Sequence, residues 1–270
     1  MDLSKIKMVV TDMDGTLLNS KHEVSSKFFK LFEELKKREI RFVAASGRQY
    51  NSIVDKLETI KDDIIVVAEN GAFVKKQENE LLATPLDQTT IRETISLLKN
   101  IEDIHPVLCG KNNAYINGNS DAFRDKLKEY YTQFSVLNDI ASFEGEILKI
   151  AIYHFESSER YIYPLVNHLE SDLKVKVSGE NWLDISHMNA NKGYALQHLQ
   201  EKYGISRQET MVFGDYNNDL EMLAMSDFSF AMANAHPNVK KASNYQTSSN
   251  DDFGVESILE SMLLAKESKQ

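Results

Sequence analysis

The sequence predicts an α/β protein whose Rossmann-like parallel sheet is interrupted by an inserted α+β domain. From residue 6 to residue 71 the chain repeats the order strand, helix, strand, helix, strand, which is typical of a parallel sheet with right-handed crossovers. The same pattern returns near residue 191, whereas the elements between residues 85 and 184 alternate less regularly. We therefore expect one α/β domain that is split in sequence by a second domain.

The N-terminal elements are predicted from hydrophobic spacing. Residues 6–11 form an apolar, β-branched run that ends in acids and a glycine, which predicts a buried strand followed by a tight turn. Ser25 or Ser26 can cap the next helix, because apolar residues recur at helical spacing between residues 28 and 35. The remaining predicted elements of this half are a strand over 41–45, a helix from Tyr50 and a strand over 64–68.

The middle of the chain predicts an α+β unit, because short strands that follow one another favour antiparallel pairing. Its predicted elements are a helix over 89–98, short strands near Val107 and Tyr115, a helix over 121–131, a strand over 147–155, a helix around 161–169 and a strand pair near Val175 and Trp182.

The α/β pattern then resumes, with a helix over 191–203, a strand over 210–213, a helix over 219–224, a strand over 228–232 and a closing helix near 255–264. We therefore assign residues 1–84 and 185–270 to a discontinuous catalytic core and residues 85–184 to the inserted domain.

Composition narrows the class of protein. The chain carries 31 Lys and Arg against 41 Asp and Glu, and this formal net charge of -10, without a long basic run, argues against binding to nucleic acid. A single cysteine, Cys109, excludes an intramolecular disulfide and fits a reducing compartment. No apolar run approaches the roughly 20 residues of a membrane helix. We expect a cytoplasmic protein that acts on a small molecule, with no membrane association and no obligate protein partner.

Polar residues follow predicted strands or open a helix at several places in the α/β part. Because parallel strands end at the same edge of a sheet, these side chains should converge there. Clustered carboxylates repel one another unless a cation lies between them, and Mg²⁺ prefers oxygen ligands. A lysine and a serine beside that cation also suit a phosphoryl group. The residues are Asp12 and Asp14 in TDMDGT, Ser46 in ASGR, Lys192 in NKG, and Asp215, Asn218 and Asp219 in GDYNND.

This combination of motifs resembles the haloacid dehalogenase superfamily of phosphohydrolases. Within it, the chain is similar to the Cof-type sugar phosphatases, the type IIB group with a C2 cap domain. The resemblance covers both halves of the α/β part closely, and it covers the insert only in position and size. The segments that carry it, besides DMDGT, are ENGAFV from Glu69, NKGYAL from Asn191, GDYNNDLEML from Gly214 and AMANAH from Ala231.

The resemblance implies a role for each matching residue. Asp12 would be the nucleophile that forms an aspartyl phosphate, and Asp14 would protonate the leaving alcohol and then deprotonate water. Mg²⁺ would be held by Asp12, Asp215 and the backbone carbonyl of Asp14. Asp219 would orient Lys192 or a metal-bound water. The phosphoryl oxygens would be held by Ser46, the backbone amides of Met13 and Gly47, Lys192 and Asn218.

Two further residues, Tyr216 and Arg48, lie within or next to these motifs. Tyr216 stands where the family commonly has glycine, so it either narrows the mouth of the pocket or contacts substrate. Arg48 follows Ser46-Gly47, and an arginine at the start of a helix is more often a structural ion-pair partner, so we leave it out of the catalytic set. Cys109 lies far in sequence from every one of the acids and is expected to be a buried thiol.

The sequence thus predicts a Mg²⁺-dependent phosphomonoester hydrolase that acts on small phosphorylated metabolites, with sugar phosphates favoured. The inserted domain is expected to close over the pocket and read the leaving group. A phosphosugar mutase on the same fold is the nearest alternative, and a non-catalytic phosphosugar sensor is another. A phospho-accepting receiver domain is disfavoured by the insert and by Asp14, which would shorten the life of a phospho-aspartate.

Overall fold

The computed structural model describes residues 2–99, 101–118, 120–129, 131 and 133–268. It divides the chain into two compact units: a core unit, Met1–Leu82 and Asn191–Gln270, and an inserted unit, Ala83–Ala190. The predicted fold class, a parallel α/β core interrupted by an α+β insert, is confirmed. Every helix in the described part of the chain is too short or too polar to cross a bilayer.

The strands are β1 (Met8–Asp12), β2 (Arg41–Ala45), β3 (Ile65–Ala68), β4 (Phe73–Lys76), β5 (Asn79–Ala83), β6 (Ile104–Gly110), β7 (Ala114–Ile116), β8 (Phe134–Val136), β9 (Ile147–His154), β10 (Leu173–Val177), β11 (Trp182–His187), β12 (Thr210–Gly214), β13 (Phe228–Ala231) and β14 (Tyr245–Gln246).

The α-helices are α1 (Ser26–Lys37), α2 (Tyr50–Lys56), α3 (Gln88–Leu98), α4 (Asp121–Leu127), α5 (Ser158–Tyr161), α6 (Tyr163–Val166), α7 (Lys192–Tyr203), α8 (Leu220–Leu223), α9 (Pro237–Ala242) and α10 (Gly254–Glu267). Short 3-10 turns include Glu69–Gly71 after β3 and Asn217–Asp219 before α8.

The core unit is built on an eight-stranded sheet in the order β14-β13-β12-β1-β2-β3-β4-β5. The strands from β14 to β3 are parallel, and β4 reverses direction next to β3. All five residues of β1 are buried, as expected for a central strand with helices on both faces. Because the parallel strands share a direction, the segments that follow β1, β2, β3 and β12 begin at one edge of the sheet.

Helix α1 shows how the sequence specifies these elements. The Ser25 side chain accepts a hydrogen bond from the Phe28 amide at 3.0 Å, which caps the first turn. Phe28, Phe32 and Leu35 are buried on one face, and the Phe28 ring lies 5.0 Å from that of Phe42 in β2. Each fully buried side chain of this size contributes roughly 1.5–3 kcal/mol. The apolar face therefore fixes α1 against the sheet.

The inserted unit contains a six-stranded sheet in the order β10-β11-β9-β6-β7-β8, antiparallel except for β7 and β8. The division between the units differs from the predicted boundary after residue 184. Strand β11 continues through His187 and pairs with β9 and β10, so that boundary falls inside a strand. The compact unit accordingly extends to Ala190.

Two helices of the inserted unit differ from their predicted bounds. The helix expected around 161–169 is divided into α5, α6 and a 3-10 turn, because Pro164 has no amide to donate and occupies the start of α6. The helix expected over 121–131 ends at Leu127, and residue 130 lies outside the described residues.

Candidate active site

Three carboxylates meet where β1 and β12 end. Asp12 is the last residue of β1, Asp215 directly follows β12, and Asp219 ends the 3-10 turn that comes next. Because β1 and β12 are adjacent parallel strands, residues far apart in sequence reach the same place. One oxygen from each of the three carboxylates lies within 4.8 Å of the others. We call these residues the acid cluster.

Lys192 supplies a positive charge to the acid cluster. It is the first residue of α7, whose N-cap Asn191 accepts a hydrogen bond from the Tyr194 amide at 2.7 Å. The ammonium group is fully buried and donates to Oδ1 of Asp12 and, at 2.7 Å, to Oδ1 of Asp219. Burial opposes its charge, but the two carboxylates outweigh burial and raise the pKa of Lys192. Lys192 is therefore protonated at neutral pH.

Asp12 and Asp215 carry more negative charge than Lys192 balances. Burial, with the neighbouring carboxylates, holds the pKa of Asp12 above its usual value despite the contact with Lys192. Burial and the charge of Asp219 likewise raise the pKa of Asp215 to about 6. Both shifts come first from burial and then from the negative charge of the neighbouring carboxylates, which a single ammonium group does not balance.

Asp219 fixes the backbone of the segment that follows β12, and Thr16 fixes the carboxylate of Asp215. Oδ2 of Asp219 accepts hydrogen bonds from the amides of Asp215 at 2.9 Å and Tyr216 at 3.1 Å. The Thr16 hydroxyl donates to Oδ1 of Asp215 at 3.2 Å. Gly15 has a φ of 76°, and a Cβ there would lie 2.3 Å from Oδ2 of Asp215. Glycine therefore leaves space at that oxygen.

The acid cluster has the donor set of a site for a hard divalent cation. Asp219 uses one oxygen on Lys192 and the other on two amides. Within the described residues, the hydrogen bonds donated to the side-chain carboxylates of Asp12 and Asp215 are accepted by Oδ1 in each case. Their Oδ2 atoms therefore fit a cation that accepts oxygen ligands, and such a cation would offset the burial and the repulsion that raise both pKa values.

Asp14 bonds to Arg48 rather than to Lys192. Arg48 donates from Nε to Oδ2 and from Nη2 to Oδ1 of Asp14, both at 2.7 Å, and His22 Nδ1 lies 3.3 Å from Oδ1. Burial opposes the negative charge, but the bonds to Arg48 outweigh it and lower the pKa of Asp14. The hydroxyl of Ser46, which is also buried, accepts from the Arg48 amide at 3.1 Å.

The other predicted site residues lie at the same edge of the sheet. Met13, between the two predicted catalytic acids, is buried, and Gly47 follows Ser46 after β2. Asn218 lies in the turn before α8 and donates from Nδ2 to Oδ1 of Asn70 at 3.0 Å. Asn70 belongs to the turn after β3, so a fourth strand end contributes to the site.

Tyr216 and Cys109 have contrasting surroundings. The Tyr216 side chain directly follows Asp215, is 56% exposed and contacts the His236 ring edge-on at 5.6 Å. Cys109 is buried in the inserted unit, with its sulfur 3.2 Å from the hydroxyl of Tyr131.

Several residues that contact the site lie outside the set of site residues predicted from the sequence. Thr16 and Asn70 lie inside the motifs DMDGT and ENGAFV, so the motifs contained a signal for them. The sequence favours a structural ion-pair role for Arg48, and the carboxylate that it pairs with is that of Asp14. His22 belongs to none of the segments that carry the family resemblance, and its left-handed φ of 58° is not visible in the sequence.

Comparison with known proteins identifies the family. The family model for haloacid dehalogenase-like hydrolases matches residues 9–259. The chain belongs to this family. The haloacid dehalogenase-like chain is 30% identical over 261 residues to the 5-amino-6-(5-phospho-D-ribitylamino)uracil phosphatase of Escherichia coli (strain K12), covering 96% of each. The resemblance inferred from the motifs is therefore confirmed at the level of the superfamily.

Solved structures of this haloacid dehalogenase-like family share the fold over almost the whole chain. The crystal structure of SMU.1108c from Streptococcus mutans UA159 matches with a TM-score of 0.84 and 30% identity, covering 96% of this chain and 99% of that one. TM0651 from Thermotoga maritima matches with a TM-score of 0.85 and 28% identity, covering 95% and 97%. The match includes the inserted unit as well as the core unit.

Proposed function

We propose that this haloacid dehalogenase-type phosphatase is a Mg²⁺-dependent phosphomonoester hydrolase that acts on small phosphorylated metabolites. The observation that carries the proposal is the buried carboxylate of Asp12, in contact with Lys192 and close to Asp215. A carboxylate nucleophile, a fixed ammonium group and oxygen ligands for a cation are the parts that phosphoryl transfer needs. The Escherichia coli relative is named for a phosphate ester on a ribityl chain, which supports phosphorylated sugars and sugar alcohols as substrates.

The proposed cation ligands are the carboxylates of Asp12 and Asp215 and the backbone carbonyl of Asp14. The donor set is all oxygen, which suits Mg²⁺. When bound, Mg²⁺ would neutralise charge on the phosphoryl oxygens during transfer.

In the first step, a carboxylate oxygen of Asp12 attacks phosphorus, and the bond from phosphorus to the alcohol oxygen breaks. The leaving oxygen takes a proton from Asp14, which releases the alcohol and leaves an aspartyl phosphate on Asp12. Lys192 holds positive charge beside the phosphoryl oxygens throughout, because its raised pKa keeps it protonated. Ser46, Asn218 and the amides of Met13 and Gly47 are proposed to bind the remaining phosphoryl oxygens.

In the second step, water attacks phosphorus, Asp14 accepts its proton, and inorganic phosphate leaves as Asp12 is restored. The lowered pKa of Asp14 supports its role as proton acceptor in this step, because Arg48 favours the carboxylate form. For the first step Asp14 must carry a proton, so its contact with Arg48 must weaken when substrate binds.

Release of phosphate from p-nitrophenyl phosphate with Mg²⁺ tests the proposal. Asp12→Asn should abolish release, because an amide neither attacks phosphorus nor forms the acyl phosphate. Asp63→Asn is the matched control, since Asp63 forms a surface ion pair with Lys36, and its activity should equal that of the parent protein. Full activity in Asp12→Asn would rule out the mechanism. Incubation with a hexose phosphate separates hydrolysis, which yields free phosphate, from a mutase reaction, which yields an isomer.

A further inference from the structure

The turn that follows β3 has an unusual backbone. Glu69, Asn70 and Gly71 have φ values of 49°, 55° and 103°, and no other consecutive residues in the described part of the chain have positive φ. This left-handed region is unfavourable for residues other than glycine, although asparagine tolerates it better than most. Such backbone persists where surrounding contacts hold it, and it is concentrated at functional sites.

Two backbone hydrogen bonds attach this turn to the segment after β2. The Glu69 amide donates to the Arg48 carbonyl at 3.0 Å, and the Asn70 amide donates to the Ser46 carbonyl at 2.9 Å. That segment carries Ser46 and Gly47, which are proposed to bind the phosphoryl group. The left-handed turn therefore fixes the position of one side of the phosphoryl site.

The side-chain amide of Asn70 contacts two of the proposed phosphoryl-binding residues. Its Oδ1 accepts the hydrogen bond from Nδ2 of Asn218 at 3.0 Å. A Cβ built on Gly47 would lie 3.0 Å from Oδ1 and 3.1 Å from Nδ2 of Asn70, so the amide packs directly against that glycine. The Asn218 amide carries two hydrogens, and the bond to Asn70 uses one and leaves the other for a phosphoryl oxygen.

Gly71 places the same turn against the start of α7. A Cβ on Gly71 would lie 2.2 Å from the Asn191 carbonyl oxygen and 2.8 Å from the Lys192 amide nitrogen, so only glycine permits this approach. The turn therefore contacts the segments that carry Gly47, Asn218 and Lys192, which come from three different parts of the core unit.

We propose that Asn70 is a positioning residue for phosphoryl binding: its Oδ1 orients the amide of Asn218 toward the phosphoryl oxygens. The inference rests on the proposed function and adds to it a residue that acts through Asn218. Because an oriented Asn218 binds the phosphoryl group in the ground state as well as in transfer, loss of Asn70 raises KM more than it lowers kcat. The pH profile of kcat/KM is unchanged, because the side-chain amide of Asn70 neither gains nor loses a proton.

Asn70→Gly tests this inference, because glycine keeps the left-handed backbone and removes only the amide. We expect KM for p-nitrophenyl phosphate to rise about tenfold and kcat to fall less than about threefold, as for the loss of one hydrogen bond to a charged group. Calorimetric binding of inorganic phosphate with Mg²⁺ should weaken to the same extent. Gln77→Gly is the matched control, because Gln77 also has a positive φ of 52° but lies between β4 and β5, and neither constant should change.

A double-mutant cycle with Asn218→Ala distinguishes positioning from a general structural role. If Asn70 acts through Asn218, then Asn70→Gly in the Asn218→Ala background changes KM by less than about twofold. The inference would be overturned if the two substitutions raise KM by factors that multiply. It would also be overturned if a folded Asn70→Gly protein binds phosphate as tightly as the parent protein does. If Asn70→Gly does not fold, Asn70→Ser replaces it, because its hydroxyl is too short to reach Asn218. A parent protein without phosphatase activity would refute the proposed function instead, and phosphate calorimetry would still test Asn70.

Discussion

The guanidinium group of Arg48 donates two hydrogen bonds of 2.7 Å to the carboxylate of Asp14. Paired bonds of this kind fix the plane of a carboxylate as well as its charge. Burial opposes that charge, but Arg48 still holds the pKa of Asp14 below its usual value. Arg48 therefore controls the group that we propose as the acid and base of the reaction.

Replacement of Arg48 by alanine should lower kcat/KM about 10- to 100-fold, because Asp14 loses its orientation. The substitution also removes the bonds that lower the pKa of Asp14, so that pKa should rise. Since Asp14 must be protonated to assist the leaving group, the basic limb of the kcat/KM profile should move to higher pH. Rates of hexose phosphate hydrolysis over a wide pH range measure both effects, because an alcohol leaving group needs the proton that Asp14 is proposed to supply.

Arg38→Ala provides the control for this measurement. Arg38 also pairs with carboxylates, those of Glu34 and Glu267, but it lies at the end of α1, outside the candidate site. The Arg38→Ala substitution should therefore leave kcat/KM and the basic limb of its pH profile unchanged. A basic limb that stays in place in Arg48→Ala would show that Asp14 is not the group whose protonation limits the rate.

Addition of Mg²⁺ to protein dialysed against a chelator should raise Tm. Burial and the charge of Asp219 raise the pKa of Asp215 to about 6, and a bound cation would offset both effects. A ligand at 100 times its Kd stabilises a fold by about 2.7 kcal/mol. Asp215→Asn should remove most of this increase and should itself stabilise the metal-free protein. Scanning calorimetry with and without Mg²⁺ measures both. If Mg²⁺ raises the Tm of Asp215→Asn as much as that of the parent protein, then the cation binds at another site.

Local sequence patterns predict the long, buried elements of this fold well. The bounds of β2 are those predicted, and α7 begins one residue after its predicted start, because both elements bury a regular set of apolar residues. The hairpin of β4 and β5 was not predicted. Most of its residues are partly or fully exposed, so it carries no strong hydrophobic pattern.

Strand order makes part of the candidate site predictable from the sequence. The alternation of strands and helices indicates a parallel sheet. In a parallel sheet Asp12 and Asp215, which lie at the ends of β1 and β12, must be at the same edge. The contacts of Arg48 with Asp14 and of Asn70 with Asn218 join separate loops. They depend on loop backbone, such as the left-handed φ of Asn70, which residue type does not specify.

Lys192→Met should destabilise the metal-free protein in a pH-dependent way. The variant leaves Asp12 and Asp219 buried without the ammonium group that pairs with both. Loss of one partner of a buried ion pair costs about 3–5 kcal/mol. Burial already raises the pKa of Asp12, and removal of Lys192 should raise it further. The part of this cost that comes from Asp12 is absent where Asp12 is protonated in both the folded and unfolded states, and it grows as pH rises above the ordinary carboxyl range.

Urea unfolding at acidic and alkaline pH measures this difference. Lys27→Met is the control, because Lys27 forms a half-exposed pair with Glu260, and exposed pairs contribute less than about 1 kcal/mol. A loss of stability in Lys192→Met that does not change with pH would contradict the view that the ionised acid cluster is its cause.

The ion pair of Lys7 and Glu209 should make stability fall in acid. Lys7 directly precedes β1 and Glu209 directly precedes β12, so the pair joins the starts of two adjacent strands. Hydrogen bonds from Lys7 and from Ser206 lower the pKa of Glu209 to about 2. Because the folded-state pKa lies below the ordinary value of 4.5, the stabilisation is complete above that value and is lost as pH falls toward 2. The Lys7 side chain is 60% exposed, so screening limits the contribution to about 0.5–1 kcal/mol.

Glu209→Gln tests this pair, because glutamine keeps an acceptor for Ser206 and removes only the charge. The difference in unfolding free energy between parent and variant should be largest at neutral pH, should shrink as pH approaches 2, and should decrease in high salt. Lys7→Met should produce the same loss, and the double variant should lose no more than either single variant. Additive losses at neutral pH would show that the two residues stabilise the protein independently rather than as a pair.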